Sequence, residues 1–302
     1  MEQKLEPPRI IAVSGMGWSG ASAVVDYLRG QPGTLLPQGS EPKVFQFPLR
    51  VFRSIRSGES VRDWEVEEAL GQVYGRSTER SGDAYYRKRC AFLDSLGRTW
   101  ADWNGVSVPL GRAVEELARI RKSKSRAKRE AALQAFLTGL RESMQAFEAL
   151  FGGMSNVVVL DNLYRMDRDA ATWTRNFRNG FLIGVHRDPR DHLAERRRQG
   201  SRISARNFAE RYAVAMPDED VEVAELGRAA PDVLYVPFEH FVVSEASRAE
   251  VLKFCGLVSD GGDGERFSSA KSRMNVGIWR DRLERREVEV LERRLGGYFR
   301  DL

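Results

Sequence analysis

The chain is poor in the residues that build metal centres and disulfide frameworks. Its 302 residues include two cysteines, Cys90 and Cys255, and three histidines, His186, His192 and His240. None stands at metal-ligand spacing, so no zinc pattern exists and no metal is expected. Two cysteines so far apart read as reduced, mostly buried thiols. Long apolar runs are missing as well: no stretch is long and apolar enough to span a membrane. The first residues, "MEQKLEPPRI", carry no apolar signal core, which makes the cytoplasm the expected compartment. No internal repeat or low-complexity tract occurs.

What is present suits one large α/β domain, residues 1–302, with a sizeable insertion. Apolar residues make up 42% of the chain and charged residues 30%, enough for a core and too apolar for a wholly disordered chain. The formal net charge is +5, which favours an anionic ligand or partner. The basic residues form no long tail and lack interleaved aromatic platforms, so nucleic acid is not the expected partner. A compact polyanionic cofactor fits better.

"RIIAV", from Arg9, reads as a short buried strand, and "SGASAVVDYLRG" as a helix stopped at Gly30. "TLLP", "NVVVLD", "FLIGVHR" and "VLYVPF" read as further strands. Helical patterns separate them, so the expected architecture is a three-layer parallel sheet with flanking helices. Across about 52–151 the strand signal disappears. Leu133, Phe136, Leu137, Leu140, Met144 and Phe147 recur at helical spacing, and the region reads as a mostly helical insertion. Its most basic part, "RIRKSKSRAKRE", is either a solvated face or a docking surface for an anionic acceptor. Near the end, Val288, Leu291, Leu295, Phe299 and Leu302 form one helical stripe.

Two segments carry chemistry. "VSGMGWSGAS" follows the first strand and opens the first helix. Gly15 and Gly20 have four residues between them, the glycine spacing of a phosphate-binding loop. Backbone N–H groups in such a turn converge on one spot, and the helix N-terminus adds partial positive charge. Ala21 stands where a nucleoside triphosphatase has its lysine, which argues against a P-loop kinase, although Ser22 keeps the hydroxyl. The second segment, "VHRDPRDHLAERRRQG", also runs from strand to helix, with Pro189 suited to a first helical position. Arg187 and Arg190 present forks that match phosphate oxygens; the plainer alternative is that Arg187 pairs with Asp191. His186 and His192, which flank this motif, read as structural or solvated.

Together "WSGAS" and "RDPRD" resemble the motifs of sulfotransferases that use 3′-phosphoadenosine 5′-phosphosulfate (PAPS). In that family a basic residue followed by Ser-Gly and two hydroxyl residues holds the 5′-phosphosulfate, and Arg-Asp/Asn-Pro-Arg/Lys-Asp holds the 3′-phosphate. Two further stretches are similar to the family in the same order: "VLYVPFEHFVVSEASRAEVLKFCGL" and the terminal "SRMNVGIWRDRLERREVEVLERRLGGYFRDL". The resemblance does not cover the helical insertion. It implies a P-loop sulfotransferase-like fold and sulfuryl transfer from PAPS to a hydroxyl of a glycan or small metabolite, leaving 3′-phosphoadenosine 5′-phosphate, with no metal. It also implies cofactor contacts at Gly15, Gly17, Trp18, Ser19, Gly20, Ala21, Ser22, Arg187, Arg190, Glu195, Arg273, Gly277 and Trp279. In several relatives a glutamate after the second strand is the general base, which here is Glu41 in "GSEPKVFQF", with Lys43 beside it to lower its pKa or bind the leaving group. Another branch uses a histidine after the middle strand. That place reads "LDNLYR" here, so Asp161 is the competing base or a substrate-orienting group.

The sequence departs from the family twice. Trp18 replaces the basic residue of the loop, and either packs or stacks on an acceptor. Glu195 replaces a serine on the 3′-phosphate, and must point away or pair with Arg198 or Arg202. A nucleotide-binding protein without transfer activity is therefore the first alternative, and a P-loop kinase the second. The sequence fixes neither the acceptor nor the oligomeric state.

Overall fold

Short β-branched runs become a sheet and the long 3.6-period stretches become helices. The computed structural model describes residues 7–37, 43–80, 82–161, 163, 170–215, 231–258 and 266–298. In chain order these form β1 (Arg9–Gly15), α1 (Ala21–Arg29), β2 (Thr34–Leu35), α2 (Gln46–Ser57), α3 (Asp63–Tyr74), α4 (Ala84–Ser95), α5 (Trp100–Ile120), α6 (Arg126–Ala149), β3 (Val157–Asp161), α7 (Ala170–Thr174) and β4 (Gly180–His186). There follow α8 (Pro189–Arg198), α9 (Ala205–Ala215), β5 (Val233–Pro237), α10 (Phe238–Val243), α11 (Glu245–Cys255), α12 (Ser269–Arg273) and α13 (Arg285–Leu295).

The five strands are all parallel, in the order β2-β3-β1-β4-β5, with helices flanking the sheet as in a three-layer α/β fold. β4 and β5 pair in register from Leu182 opposite Val233 to His186 opposite Pro237. Ile10 to Gly15 of β1 and Val157 to Leu160 of β3 are buried without alternation. That is the pattern of a parallel sheet covered on both faces, and it explains why these strands read as continuous apolar runs.

The chain divides into two compact units. The first comprises 1–10, 35–164 and 175–180 and holds α2 to α6. Its core is aromatic. Phe92 stacks on Phe147 with ring centroids 5.6 Å apart, and Phe151 meets Phe147 edge-on at 5.3 Å. Phe52 stacks on Phe136 at 4.8 Å. Trp103 is buried here because its indole N–H finds a partner, the Val73 carbonyl at 2.9 Å. A Cβ on Gly139 would lie 2.7 Å from the Pro109 carbonyl oxygen, so only glycine lets α6 approach α5 at that level. Thr99 caps α5 by accepting from the Asp102 N–H, while the Asp102 carboxylate accepts from the Thr99 N–H at 2.7 Å.

The second unit comprises 11–34, 165–174 and 181–302. Tyr27, Phe241 and Phe267 form one aromatic cluster in it. His192, Phe208, Tyr212 and Tyr298 form another. Of the terminal apolar stripe, Leu291 and Leu295 are buried on α13; Phe299 and Leu302 lie outside the described residues. Neither cysteine is in a disulfide. Among the described residues no helix is long and apolar enough to cross a membrane.

Candidate functional site

The site in the second unit begins where β1 runs out. A Cβ on Gly15 would meet Ser19 Oγ at 2.1 Å and the Val185 carbonyl oxygen of β4 at 2.8 Å. The chain then turns back, and the Ser19 N–H donates to the Met16 carbonyl at 2.8 Å. Gly20 has φ 94°, and a Cβ there would collide with the Phe238 ring at 2.2 Å. Both glycines of the loop spacing are thus required by close approach, and Gly20 also by its left-handed backbone. Trp18 is the single described non-glycine residue with positive φ, 71°, a conformation that costs about 1 kcal/mol or more. Its side chain is 46% exposed, and the Arg196 guanidinium lies over the indole at 5.0 Å.

α1 starts immediately after Gly20 with no side-chain cap and no acidic residue in its first turn. Its leading N–H groups are therefore open to an anion. The Ala21 methyl is buried, whereas Ser22 is exposed and lines a cavity. The Ser19 hydroxyl is turned toward Gly15, buried, and has no hydrogen-bond partner.

The "RDPRD" motif divides its side chains between two tasks. Arg187, 4% exposed, directs its guanidinium to the loop. It donates from Nη1 to the Trp18 carbonyl at 3.3 Å and from Nη2 to the Asn275 carbonyl, and lies 5.0 Å from the Phe238 ring centroid. Its Nε has no partner. Burial lowers its pKa, opposed by the negative charges of Asp191, Glu239 and Glu195. Tyr212 fixes the backbone here by donating its hydroxyl to the Arg187 carbonyl at 2.7 Å.

The remaining residues of the motif fasten the C-terminal segment. Asp188 caps α8, accepting from the Arg190 N–H at 2.7 Å, and Pro189 takes the first position. Arg190 pairs with Asp188 at 2.7 Å and Glu292 at 3.3 Å, and lies over the Trp279 ring at 4.5 Å. Asp191 accepts from the Gly277 N–H at 2.6 Å and the Trp279 N–H at 3.0 Å. Burial pushes its carboxyl up, and these two bonds oppose the rise. Gly277 is left-handed at φ 75°. Arg273 donates to the Val242 and Val243 carbonyls at 3.2 and 3.0 Å. Arg190, Arg273, Gly277 and Trp279 are thus held in backbone and side-chain contacts next to the loop site, and none of them lines its cavity.

His192 has the structural role expected of it, with a definite target. Its Nε2 lies 2.6 Å from the Gly17 carbonyl. Full burial drives its pKa down to about 3, so the ring is neutral and Nε2–H donates to the loop.

Trp18, Gly20, Ser22, Arg187 and Glu195 share one cavity of about 290 Å³. Asp26, Arg198, Arg266, Lys271 and Phe238 complete much of its wall, giving four cationic side chains against two acidic ones. Glu195 is buried and pairs with Arg198 at 2.9 Å, and it also accepts from Gln199 at 3.0 Å. Burial alone would raise its pKa, but hydrogen bonds from Gln199 and Arg198 hold it below the ordinary carboxylate value. The pairing with Arg198 is one of the two arrangements that a carboxylate at this position requires.

Arg198 was anticipated as a partner of Glu195, whereas Arg266, Lys271 and Phe238 were not singled out by sequence reasoning. Lys271 directly precedes the "SRMNVGIWR" stretch, Arg266 stands six residues before it, and Phe238 ends a recognised strand run. Of the three expected catalytic groups, Glu41 lies outside the described residues, as does the side chain of Lys43. Asp161 closes β3, half-buried, in the first compact unit. Among the described residues no group of three or more His, Cys, Asp or Glu side chains could hold a metal ion. No protein-family model matches the chain, and no curated protein does either.

Proposed function

We propose that the chain is a PAPS-dependent sulfotransferase of the P-loop sulfotransferase type. It would transfer a sulfuryl group to a hydroxyl of a glycan or small metabolite. One observation carries this: the glycine loop, the uncapped start of α1 and the buried Arg187 meet at a single cavity whose wall is net cationic. The residues fit the cofactor. A buried guanidinium with an unpartnered Nε suits a phosphate, since buried polar groups are rarely left unsatisfied. The close packing at Gly15 and Gly20 keeps the loop backbone tight and free of side chains at both positions. PAPS, when bound, supplies the sulfuryl group and a good leaving phosphate.

Loop and α1 N–H groups would hold the 5′ end, with Ser22 adding a hydroxyl, and Arg187 would take the 3′-phosphate. Arg198, Arg266 and Lys271 add positive charge to the wall. Glu41 is the proposed base, accepting the proton of the acceptor hydroxyl as its oxygen bonds to sulfur, and Asp161 competes for that role. Lys43 would stabilise the charge that develops on the leaving oxygen. The cytoplasm is the proposed compartment, in keeping with two unbridged cysteines.

A nucleotide-binding protein without transfer activity is the second reading. Trp18 favours it, because the indole replaces a cation in the loop. A P-loop kinase fits less well, because the buried Ala21 methyl offers no ammonium to β- and γ-phosphates. Calorimetric titration with 3′-phosphoadenosine 5′-phosphate, ATP and ADP separates the sulfotransferase reading from the kinase. The sulfotransferase reading expects the 3′-phosphorylated nucleotide to bind at least about tenfold tighter than ADP, from one charge-assisted contact. A preference for ATP would replace it with the kinase.

A further inference from the structure

A second polar concavity lies in the first compact unit, formed by α2 and the turn leading into α3. Its volume is about 800 Å³, and Arg50, Arg53, Arg56 and Arg62 line it with Glu59 and Glu65. Three of the arginines follow one another at intervals of three on α2. Each directly follows a buried residue, Leu49, Phe52 or Ile55, so the arginines form a stripe along the edge of the packed face. Like charges at this spacing repel, and a fold carries them at a cost unless something offsets it.

The guanidinium groups of Arg50, Arg56 and Arg62 lie against aromatic rings. Arg50 lies 5.8 Å from the Phe47 centroid and 5.7 Å from that of Trp64. Arg62 lies 4.7 Å over Trp64, and Arg56 5.5 Å over Phe52. Glu65, largely buried, takes Arg50 at 2.9 Å and Arg62 at 3.3 Å. Glu59 accepts from the Ser54 hydroxyl at 3.1 Å. Among the described residues that line it, four arginines stand beside two glutamates. Stacked, ion-paired arginine forks have already lost much of the freedom that binding would otherwise take from them. Ser54, Ser57 and Ser60 add hydroxyls to the same wall. The basic turn between α5 and α6 reaches the start of α3, because Arg121 pairs with Asp63.

We propose that this concavity binds a small polyanion, a sugar or polyol ring carrying sulfate or phosphate esters. The forks match ester oxygens in a bidentate manner, and the serines match ring hydroxyls. Nucleic acid is the weaker fit: the Trp64 indole, the aromatic ring nearest the cations, is covered by Arg62 and by Arg80 at 4.1 Å, which removes it as a platform for a base. The site shares no lining residue with the cavity at the glycine loop and does not depend on what that cavity binds.

The test is calorimetric titration of the full chain with sucrose octasulfate, with myo-inositol hexakisphosphate, with unmodified sucrose and with a short single-stranded oligonucleotide. One or both ring polyanions should bind, and which one does identifies the ester. The double variant Arg53→Gln/Arg56→Gln should weaken that binding by about tenfold or more while leaving 3′-phosphoadenosine 5′-phosphate binding unchanged. A control double variant of exposed arginines elsewhere, Arg206→Gln/Arg285→Gln, removes the same charge and should have little effect. Should the first double variant fail to fold, Arg56→Gln alone, at an exposed position, decides. Equal losses in the test and control variants, tighter binding of the oligonucleotide, or no binding of either ring polyanion would each overturn the proposal.

Discussion

Arg89 in the first compact unit and Arg187 in the second are both buried, but in different ways. Arg89, on α4, is 6% exposed and lies face-on to Trp103 with 3.6 Å to the ring centroid. Its Nη2 donates to the Gln72 carbonyl at 3.1 Å. Burial pushes its pKa down to about 9. Arg187 is buried to a similar extent, but the negative charges of Asp191, Glu239 and Glu195 act on it and it lines a cavity. Arg89 is enclosed by its own packing, whereas Arg187 is buried at an opening. A buried cation that ends against a ring completes a core, and one that ends at a cavity is ready for a ligand.

The largest expected effect would break the comparison on the Arg89 side. Arg89→Ala should destabilise the protein by about 3 kcal/mol, from a desolvated cation–π contact of about 2 kcal/mol and the lost packing of the long side chain. Arg89→Met keeps the volume and drops the buried charge, and should cost less than about 1.5 kcal/mol. Urea midpoints of the two variants measure the difference. If methionine is as damaging as alanine, the charge itself is needed and Arg89 is not simply a filler.

The next effect is set by pH on the Arg187 side. His192 is neutral in the fold with a pKa of about 3, against an unperturbed 6.5. Between these values the unfolded chain binds the proton and the folded chain does not. Its contribution is therefore fully present above pH 6.5 and is lost as pH falls toward 3. At about two pH units below the unperturbed value the loss is roughly 2–3 kcal/mol, at about 1.4 kcal/mol per unit. His192→Gln should be less stable at neutral pH yet fall less on acidification, as thermal melts at neutral and mildly acidic pH would register. Parallel slopes for the two proteins would assign acid sensitivity elsewhere.

The smallest effect sharpens the contrast directly. Arg187→Ala should weaken 3′-phosphoadenosine 5′-phosphate by about 1.5–3 kcal/mol, the range for a hydrogen bond to a charged group. AMP, without the 3′-phosphate, should be nearly unaffected. Isothermal titration of both ligands checks this, and equal losses would place Arg187 with Arg89 as a packing residue.

Much of the sheet was legible because a buried parallel strand is a local signal. "RIIAV", "NVVVLD", "FLIGVHR" and "VLYVPF" correspond to β1, β3, β4 and β5, whereas "TLLP" yields only the two residues of β2. The apolar spacing of Phe136, Leu140, Met144 and Phe147 marks the buried face of α6. The loop was legible through Gly15 and Gly20, whose need for close approach leaves a fixed spacing. What joins distant segments was not. Nothing in the sequence near Asp191 announces the N–H groups of Gly277 and Trp279, and nothing near His192 announces the carbonyl of Gly17. Cavity residues such as Arg266 and Lys271 look like ordinary surface charges until the chain brings them together. The base remains a matter of resemblance, since Glu41 lies outside the described residues.

Asp191 and His192 are adjacent in the chain, yet one holds Gly277 and Trp279 and the other holds Gly17. The first turn of α8 therefore fastens two strips of backbone that Arg187 also joins, through the Trp18 and Asn275 carbonyls. A fluctuation that releases that turn loosens the loop and the C-terminal turn in one event.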